Sequence, residues 1–360
     1  MTAELTITIL VYHLTPYVSI FRSLAEEHRL TGYPGSNKWN TMYTDDRISE
    51  IVSSWDLKFR RSRPEIDIAG SPERTAYRMV IEDEGSALWV LEAIPPASRE
   101  HKARISQALA FLRERGLRTV HPHLVSADNE RLVRHGEFHW QVRPYVGGVP
   151  LPRPSYVLDR WRGKACADFL ADMREKARDM AALDRREAFS MFGFIDEMSG
   201  TMERYDPGVR SRMGRAFGFI EGEFARLEGG LPTRFCHGDF HPLNVIWSGN
   251  GIESVIDWEF LGPKPEVYDL ANLIGCVGFE DPAALNKGFV MEFISQVREA
   301  AAVSDLCWEI LPEWVVAMRF AWLSDWLRRG DEEMVNLEVA YIELLIDNRK
   351  GLKEIWDQTR

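Results

Sequence analysis

The chain has 360 residues, a length that favours two domains over one. Its composition, 45% hydrophobic and 28% charged, is typical of a folded globular protein and argues against intrinsic disorder. A formal net charge of -11 argues against general affinity for nucleic acid or anionic membrane, because both would repel the chain's average field, whereas a cationic small molecule is easier to accommodate.

The cysteines and the apolar N-terminal stretch indicate in which cellular compartment the protein is expected. Four cysteines lie far apart and form no CxxC pair, so we expect neither a disulfide framework nor a zinc site. The apolar stretch at 5–14 is too short to span a bilayer and lacks a basic n-region and a cleavage site. These features predict a cytoplasmic protein without a signal peptide or a transmembrane helix.

The first third of the chain changes in pattern near residue 65. Before that point the sequence predicts a helix at 45–55 and a basic run at 58–63, which we interpret as a solvated face without chemistry. After it come short β-type runs separated by turns, which predict an antiparallel meander of three strands. The predicted strands lie at 66–69, 75–81 and 87–94.

An amphipathic helix is predicted at 98–115, where Ile105, Leu109 and Leu112 recur at helical spacing. Two further strands are predicted at 132–135 and 139–145, followed by glycines and prolines that indicate a hinge. Beyond them the pattern is mostly helical. The predicted helices lie at 160–185, 207–227, 282–301, 313–328 and 332–350.

This order of elements predicts an α+β protein with two lobes. Residues 64–146 would form a small, antiparallel β-rich N-lobe that binds the nucleotide, and 147–154 would form the hinge. Residues 155–360 would form a larger, mostly helical C-lobe with the catalytic loop and the substrate site. Residues 1–63 are expected to be an N-terminal extension of unclear role.

One segment of the C-lobe combines residue types that carry chemistry. Two apolar runs around the Ser-Gly-Asn-Gly turn at 248–251 predict a β-hairpin, with Asn244 near its entrance and Asp257 at its exit. Asp239 precedes Asn244 by five residues, the spacing of Asp and Asn in the kinase catalytic loop. Phosphoryl transfer needs such groups, because a carboxylate and an amide oxygen hold Mg²⁺ while a free carboxylate accepts the hydroxyl proton.

Three strings in this region resemble a family signature. They are His-Gly-Asp-Phe-His-Pro-Leu-Asn at 237–244, Ile-Asp-Trp-Glu at 256–259 and Tyr-Asp-Leu-Ala at 268–271. Together they resemble the aminoglycoside phosphotransferase, choline kinase and type II homoserine kinase families, and the likeness extends from about residue 65 to 350. The resemblance implies a protein-kinase-like fold and transfer of the γ-phosphoryl group of ATP, with Mg²⁺, to a hydroxyl of a small metabolite.

The resemblance also implies roles for individual residues. Asp239 would be the catalytic base, and His237 would shape the loop around it. Asn244 and Asp257 would be the Mg²⁺ ligands. Asp269 would be structural and would hold the catalytic loop.

The predicted nucleotide site departs from the usual kinase pattern. A kinase-like site has a Lys on the third strand, paired to a Glu on the next helix, but Glu92 stands at the Lys position here. The missing cation could come from the following helix in a charge-swapped pair, or from the second strand. The candidates are Lys102 and Arg104 on the helix and Arg74 and Arg78 on the strand side. A third account is loss of catalysis.

The rest of the nucleotide site is sparse in sequence signals. The glycine loop at 70–74 has a single glycine, so its backbone would cradle phosphate less closely than a glycine-rich loop. The base of the nucleotide would contact the hinge-side segment from Arg143 through Tyr145 to Val146. This pattern does not separate ATP from GTP.

Three alternatives remain open from the sequence. The protein could be a nucleotide-binding pseudokinase with a regulatory role, or, less favoured, a metallohydrolase with His237, Asp239 and His241 as ligands. Tryptophans of the C-terminal helices could line a cage for a quaternary ammonium, although core packing is favoured. These tryptophans are Trp308, Trp314, Trp322 and Trp326. Homoserine, choline-like amino alcohols, sugars and aminoglycosides all remain candidate acceptors.

Overall fold

The computed structural model describes residues 43–68, 75–180 and 189–359. These residues form two compact units. The N-terminal unit holds the described residues up to Val149 together with Glu253–Glu259. The C-terminal unit holds the described residues from Pro150 to Ile252 and from Phe260 onward.

The N-terminal unit is built on a five-stranded antiparallel sheet in the order β1-β2-β3-β5-β4. Its elements are α1 (Asp45–Val52), β1 (Phe59–Ser62), β2 (Tyr77–Asp83), β3 (Leu88–Ile94), α2 (Arg99–Glu114), β4 (Val133–His135) and β5 (Phe138–Pro144). Helix α1 continues as a 3₁₀ turn at Ser53–Trp55, which confirms the helix predicted at 45–55.

The two faces of this sheet differ in polarity. Successive side chains of a strand point to opposite faces, so Leu91 and Val142 share one face, and Glu92 and Gln141 share the other. The apolar face packs against Ile48 and other buried residues of α1 in one hydrophobic cluster. The opposite face carries the charged side chains of the central strands, among them Arg78, Glu82 and Glu92.

The basic run at 58–63 is largely exposed, as predicted, but its arginines also pair with a buried carboxylate of the sheet. It forms β1, the edge strand next to β2, and its arginines bind Glu82 of β2. Guanidinium nitrogens of Arg60, Arg61 and Arg63 lie 2.8, 2.8 and 2.7 Å from the Glu82 carboxylate, whose residue is only 3% exposed. A buried carboxylate requires such cationic partners.

The strand predicted at 66–69 was wrong. Residues 64–68 form a turn and irregular backbone, and residue 69 lies outside the described residues. The next two predicted strands are confirmed as β2 and β3. Their observed ends differ from the predicted ends by two residues or fewer. The predicted glycine loop at 70–74, including Arg74, also lies outside the described residues.

The C-terminal unit is mostly helical. Its elements are α3 (Arg160–Lys176), α4 (Met191–Tyr205), α5 (Pro207–Arg212), α6 (Gly214–Phe219), α7 (Ala225–Leu227), β6 (Thr233–Cys236), β7 (Val245–Trp247), β8 (Ile252–Val255), β9 (Gly262–Pro265), α8 (Tyr268–Glu280), α9 (Gly288–Glu299), α10 (Asp305–Arg329) and α11 (Glu332–Asp357). From Glu253 onward β8 belongs to the N-terminal unit. The predicted turn of the β7–β8 hairpin is closed by the Ser248 N–H, which donates to the Gly251 carbonyl at 2.9 Å.

The predicted α+β class is confirmed, and most predicted helices are present with shifted ends. Helix α4 was not predicted, and α10 begins at Asp305 rather than at 313. The helix predicted at 207–227 breaks at Met213 and then passes through a π-helical turn at Ile220–Phe224. In the described part of the chain, no helix has both the length and the apolar composition needed to cross a bilayer.

Candidate functional site

The loop that follows β6 is fixed through its backbone. The carboxylate of Asp269, in the first turn of α8, accepts the N–H groups of His237 at 2.8 Å and Gly238 at 2.9 Å. Gly238 has a φ of +85°, and a Cβ there would lie 2.1 Å from the Phe260 carbonyl oxygen. The conformation therefore requires glycine, and Asp269 is placed to hold the loop as expected.

Asp239 is the central carboxylate of this loop. The Asn244 side-chain nitrogen donates to its carbonyl at 2.9 Å and to its Oδ2 at 3.0 Å, and His241 Nε2 lies 3.6 Å from its Oδ1. Burial favours the neutral acid, but His241, His237 and Asn244 outweigh it and hold the pKa of Asp239 below its usual range. Asp239 is therefore ionised at neutral pH, the state that a general base needs.

His237 and Asn244 both support this carboxylate from inside the loop. His237 is fully buried, and its Nδ1 accepts the Asp239 N–H at 3.1 Å. Because the amide nitrogen of Asn244 is used by Asp239, its amide oxygen is the atom left to bind a cation. The donor set thus suits a hard cation such as Mg²⁺, which takes oxygen ligands.

Asp239 is also supported from the helices by Asn272, which the sequence analysis did not name, and by Trp322, which it named only as a possible cage residue. Asn272 of α8 directs its side-chain nitrogen toward the Phe240 carbonyl at 3.3 Å and Asp239 Oδ1 at 3.5 Å. Trp322 of α10 donates its indole N–H to Asn272 Oδ1 at 3.0 Å, which fixes the orientation of that amide. The Trp322 ring also meets His241 edge-on at 5.3 Å between ring centroids. Asn272 follows the Tyr-Asp-Leu-Ala string directly, and that position is the only signal the sequence offered.

The tryptophans of the C-terminal helices contact other side chains of the protein. Trp314 is fully buried, and the Trp308 ring carries the Arg298 guanidinium at 4.1 Å from its centroid. Arg319 lies 5.5 Å from the Trp322 centroid, and Arg329 lies 5.4 Å from that of Trp326. These contacts favour the packing interpretation over a quaternary ammonium cage.

In the N-terminal unit, Glu92 is satisfied by neighbours on the charged face of the sheet. Arg78 Nε lies 2.6 Å from its Oε1, and Gln141 Nε2 lies 2.7 Å from its Oε2. Burial favours the neutral acid, but Arg78, His123 and Arg143 hold the pKa of Glu92 well below its usual range. Of the four predicted cations, Arg78 is therefore the partner of Glu92.

Lys102 does not pair with Glu92, so that version of the charge-swapped pair was wrong. Lys102 is only 3% exposed, and its ammonium binds the carboxylate of Glu259, which His101 Nε2 also approaches at 3.2 Å. Burial opposes the charge of Glu259, but His101 and Lys102 lower its pKa. Arg104 lies exposed on the outer side of the same helix.

Asp257 lies in the segment that connects β8 to Glu259. Its φ is +63°, in the left-handed region that Asp tolerates better than most side chains. Arg78 and Arg143 both lie within electrostatic range of its carboxylate. The backbone N–H of Tyr145, at the hinge-side end of β5, donates to the Leu88 carbonyl at 2.9 Å.

Comparison with known proteins places these features in a family. The phosphotransferase enzyme family matches residues 68–303. A homoserine kinase of Beijerinckia indica is 27% identical over 188 residues, which is 50% of this chain and 57% of that protein. The chain thus spans about half the length of the curated relatives it matches.

Solved structures share the fold at low sequence identity. An aminoglycoside phosphotransferase of Alicyclobacillus acidocaldarius is 16% identical, with a TM-score of 0.58 over 86% of this chain and 95% of that chain. The amicoumacin kinase hAmiN, in complex with AMP-PNP, Ca²⁺ and Ami, is 14% identical, with a TM-score of 0.63 over 90% of this chain and 96% of that chain. The fold is therefore the predicted protein-kinase-like one. Since the matched residues cover well over half of the sequence and include the loop around Asp239, this chain belongs to the phosphotransferase enzyme family.

Proposed function

We propose that this protein transfers the γ-phosphoryl group of ATP to a hydroxyl of a small metabolite. The observation that carries the proposal is the ionised, half-buried carboxylate of Asp239, which lies beside Asn244 and His241 in a loop whose backbone is fixed by Asp269. Such a carboxylate can accept the hydroxyl proton as the phosphoryl group is transferred. The complex of hAmiN with AMP-PNP and Ca²⁺ supports the use of a nucleotide and a divalent cation.

The ligands proposed for Mg²⁺ are Asn244 and Asp257. The amide oxygen of Asn244 is left to a cation by the hydrogen bonds of its nitrogen, and Asp257 supplies an anionic oxygen. When bound, Mg²⁺ would neutralise charge on the phosphate oxygens. His237 would keep the Asp239 backbone in place, and Asp239 would orient and deprotonate the acceptor hydroxyl.

We place the nucleotide in the N-lobe at 64–146, with the hinge at 147–154 and the acceptor in the helical lobe at 155–360. Tyr145 would contact the base through its carbonyl, since its N–H already binds Leu88. Arg78 and Glu92 would line the phosphate side as an ion pair. We also propose a cytoplasmic location, where ATP is available and the four free cysteines would stay reduced.

Homoserine is the first acceptor to test, because the curated relatives that match this chain are homoserine kinases. Choline-like acceptors have less support, since arginines already lie against the Trp322 and Trp326 rings. The experiment is a screen of purified protein with ATP, Mg²⁺ and separate pools of amino alcohols, sugars and aminoglycosides, with phosphorylated products detected by mass spectrometry. Product with the unaltered protein and none with Asp239→Asn is the expected result.

A pseudokinase is the second candidate, and Glu92 at the position of the usual Lys is the observation that favours it. The two candidates differ in turnover. ATP binding without Mg²⁺-dependent phosphorylation of any pool would support the pseudokinase and contradict the proposed activity. Asp168→Asn, which alters an exposed carboxylate paired with Lys164 on α3, controls for general effects of removing an acid.

A further inference from the structure

The proposed activity needs a cation against the nucleotide phosphates, and Glu92 stands where a kinase usually has it. The four cations that the sequence suggested differ in what they already bind. Arg78 is engaged by Glu92, and Lys102 is engaged by Glu259. Arg104 is exposed on the outer side of α2, and Arg74 lies outside the described residues.

From the sequence, Arg143 was expected to contribute only its backbone, next to the hinge. In the structure the position of its side chain is also informative. The sheet register pairs Val90 with Arg143 and Glu92 with Gln141, so Arg143 projects from the same sheet face as Glu92. The carboxylates of Glu92 and Asp257 lie within electrostatic range of its guanidinium. The side chain is thus on the face, and near the residue, that the proposed function assigns to nucleotide and metal.

Arg143 is a cation without a contact partner in the part of the chain that the structure describes, where no hydrogen bond or ion pair joins its guanidinium to another side chain. Burial lowers its pKa, and this outweighs the attraction of Glu92. Arg143 is half-buried, and an anion that accepts from its unpaired guanidinium donors would offset the partial loss of hydration. Phosphate oxygens match the planar, forked donors of arginine.

From these observations we infer that the Arg143 guanidinium binds the phosphates of the nucleotide and replaces the lysine missing from the third strand. This inference rests on the proposed function. Arg78 then has a different role: it neutralises Glu92 beside the site and keeps that carboxylate from repelling the phosphates.

Calorimetric titration of the full chain tests this, with Mg²⁺-ATP and with adenosine as separate ligands. Arg143→Met should weaken ATP binding by about ten- to hundredfold, the range expected for losing a hydrogen bond to a charged group. Adenosine affinity should stay unchanged, which also shows that the variant is folded. Arg143→Lys should retain part of the ATP affinity, because it keeps the charge and loses the fork. Arg104→Met, an exposed arginine of α2, should bind both ligands as the unaltered protein does.

Equal ATP affinity in Arg143→Met and the unaltered protein would overturn the assignment. So would a selective loss of ATP binding in Arg74→Met or Arg78→Met that Arg143→Met does not show. If the unaltered protein phosphorylates an acceptor while Arg143→Met is unimpaired, only the assignment fails. If the unaltered protein binds neither ATP nor GTP, the assignment and the proposed function fail together.

Discussion

At the scale of single residues, the charge of Asp239 depends on two opposing influences on its pKa, burial and polar neighbours. Burial alone would raise its pKa, whereas His241, His237 and Asn244 lower it by more. His241 is itself buried and edge-on to Trp322, so its position is fixed by packing as well as by the carboxylate. The ionised state of the Asp239 carboxylate therefore depends on several residues of the loop.

The first prediction concerns the pH dependence of turnover in His241→Gln. A base acts only when ionised, so activity is lost as pH falls through the pKa of Asp239. Removing His241 removes an influence that lowers this pKa, so the acid limb of kcat/KM should move to higher pH. A pH–rate profile measures the shift, with His139→Gln in the N-terminal unit as control. An acid limb at the same pH in both variants would contradict the role of His241.

The second prediction concerns Asn272 and Trp322 as positioning residues. Asn272→Ala should lower kcat by about tenfold, as expected when one hydrogen bond near a reacting group is lost, and leave the KM for ATP unchanged. Trp322→Phe keeps an aromatic side chain but loses the indole N–H with part of the ring system, so it should act in the same direction but less strongly. In the double variant the two effects should not add, because both residues act through one amide.

Trp326→Phe is the matched control, since the Trp326 indole N–H binds Glu338 at 3.2 Å rather than Asn272. It should affect thermal stability more than kcat. If Asn272→Ala instead raises the KM and leaves kcat unchanged, Asn272 contributes to ligand binding rather than to positioning.

At the scale of elements, helix α2 holds the segment that carries Asp257. Lys102 binds Glu259, two residues beyond Asp257, and both partners are largely buried. In most kinases the corresponding helix supplies a Glu to the third-strand Lys. Here the helix supplies the cation, and its partner follows the proposed metal ligand. A change in the position of α2 would therefore alter the position of Asp257 through the Lys102–Glu259 ion pair.

The third prediction follows from this ion pair. Lys102→Met should leave Glu259 buried without its ammonium, destabilise the protein by about 3–5 kcal/mol and weaken Mg²⁺-dependent ATP binding. The exchange Lys102→Glu with Glu259→Lys should restore part of both losses. ATP titrations over a series of Mg²⁺ concentrations, with thermal unfolding alongside, measure the two effects. Arg104→Met on the same helix is the control, and an equal loss there would argue against a specific role for Lys102.

The elements also show what sequence patterns could predict. The loop around Asp239 was predictable because its residues are neighbours in sequence and their spacing has a chemical meaning. The partner of Glu92 could only be narrowed to four candidates, since the choice depends on the register of β2 against β3. Strand β1 was missed because its arginines are largely exposed and read as a solvated face, while Glu82, their partner, lies on another strand.

The predicted start of helix α10 was also wrong, and the reason is local. The predicted start of α10, at 313, directly follows Pro312, and proline is disfavoured inside a helix. In the structure Pro312 lies inside α10 among buried residues such as Leu311 and Trp314. Tertiary packing of the helix thus outweighed the backbone preference of one residue.

At the scale of the whole molecule, each unit has its own core with a buried ion pair in it. In the C-terminal unit Arg319 Nε lies 2.6 Å from Glu338 Oε1, and both residues are at most 1% exposed. This pair joins α10 to α11. A buried pair of this kind contributes little net free energy, but breaking it is costly.

The fourth prediction tests that asymmetry. Glu338→Gln or Arg319→Met alone should destabilise the protein by about 3–5 kcal/mol, because an uncompensated charge or polar group is left buried. The double variant Arg319→Met with Glu338→Leu should recover most of this stability. Calorimetric unfolding measures all three, and a double variant as unstable as the worse single one would contradict the argument.

Strand β1 has a consequence for association between molecules. An unpaired sheet edge is a template for adding strands from other chains, and charged edge residues are a common protection. Here one edge is closed by β1, which contains Arg60 and Arg61 and is followed directly by Arg63, and the other by β4, which has only three residues. A chain shortened to begin at residue 64 would expose β2, whose Val80 and Ile81 are buried in the full chain. It should form aggregates by light scattering at concentrations where the full chain does not, since it loses both the charged edge strand and helix α1, which covers the apolar face of the sheet.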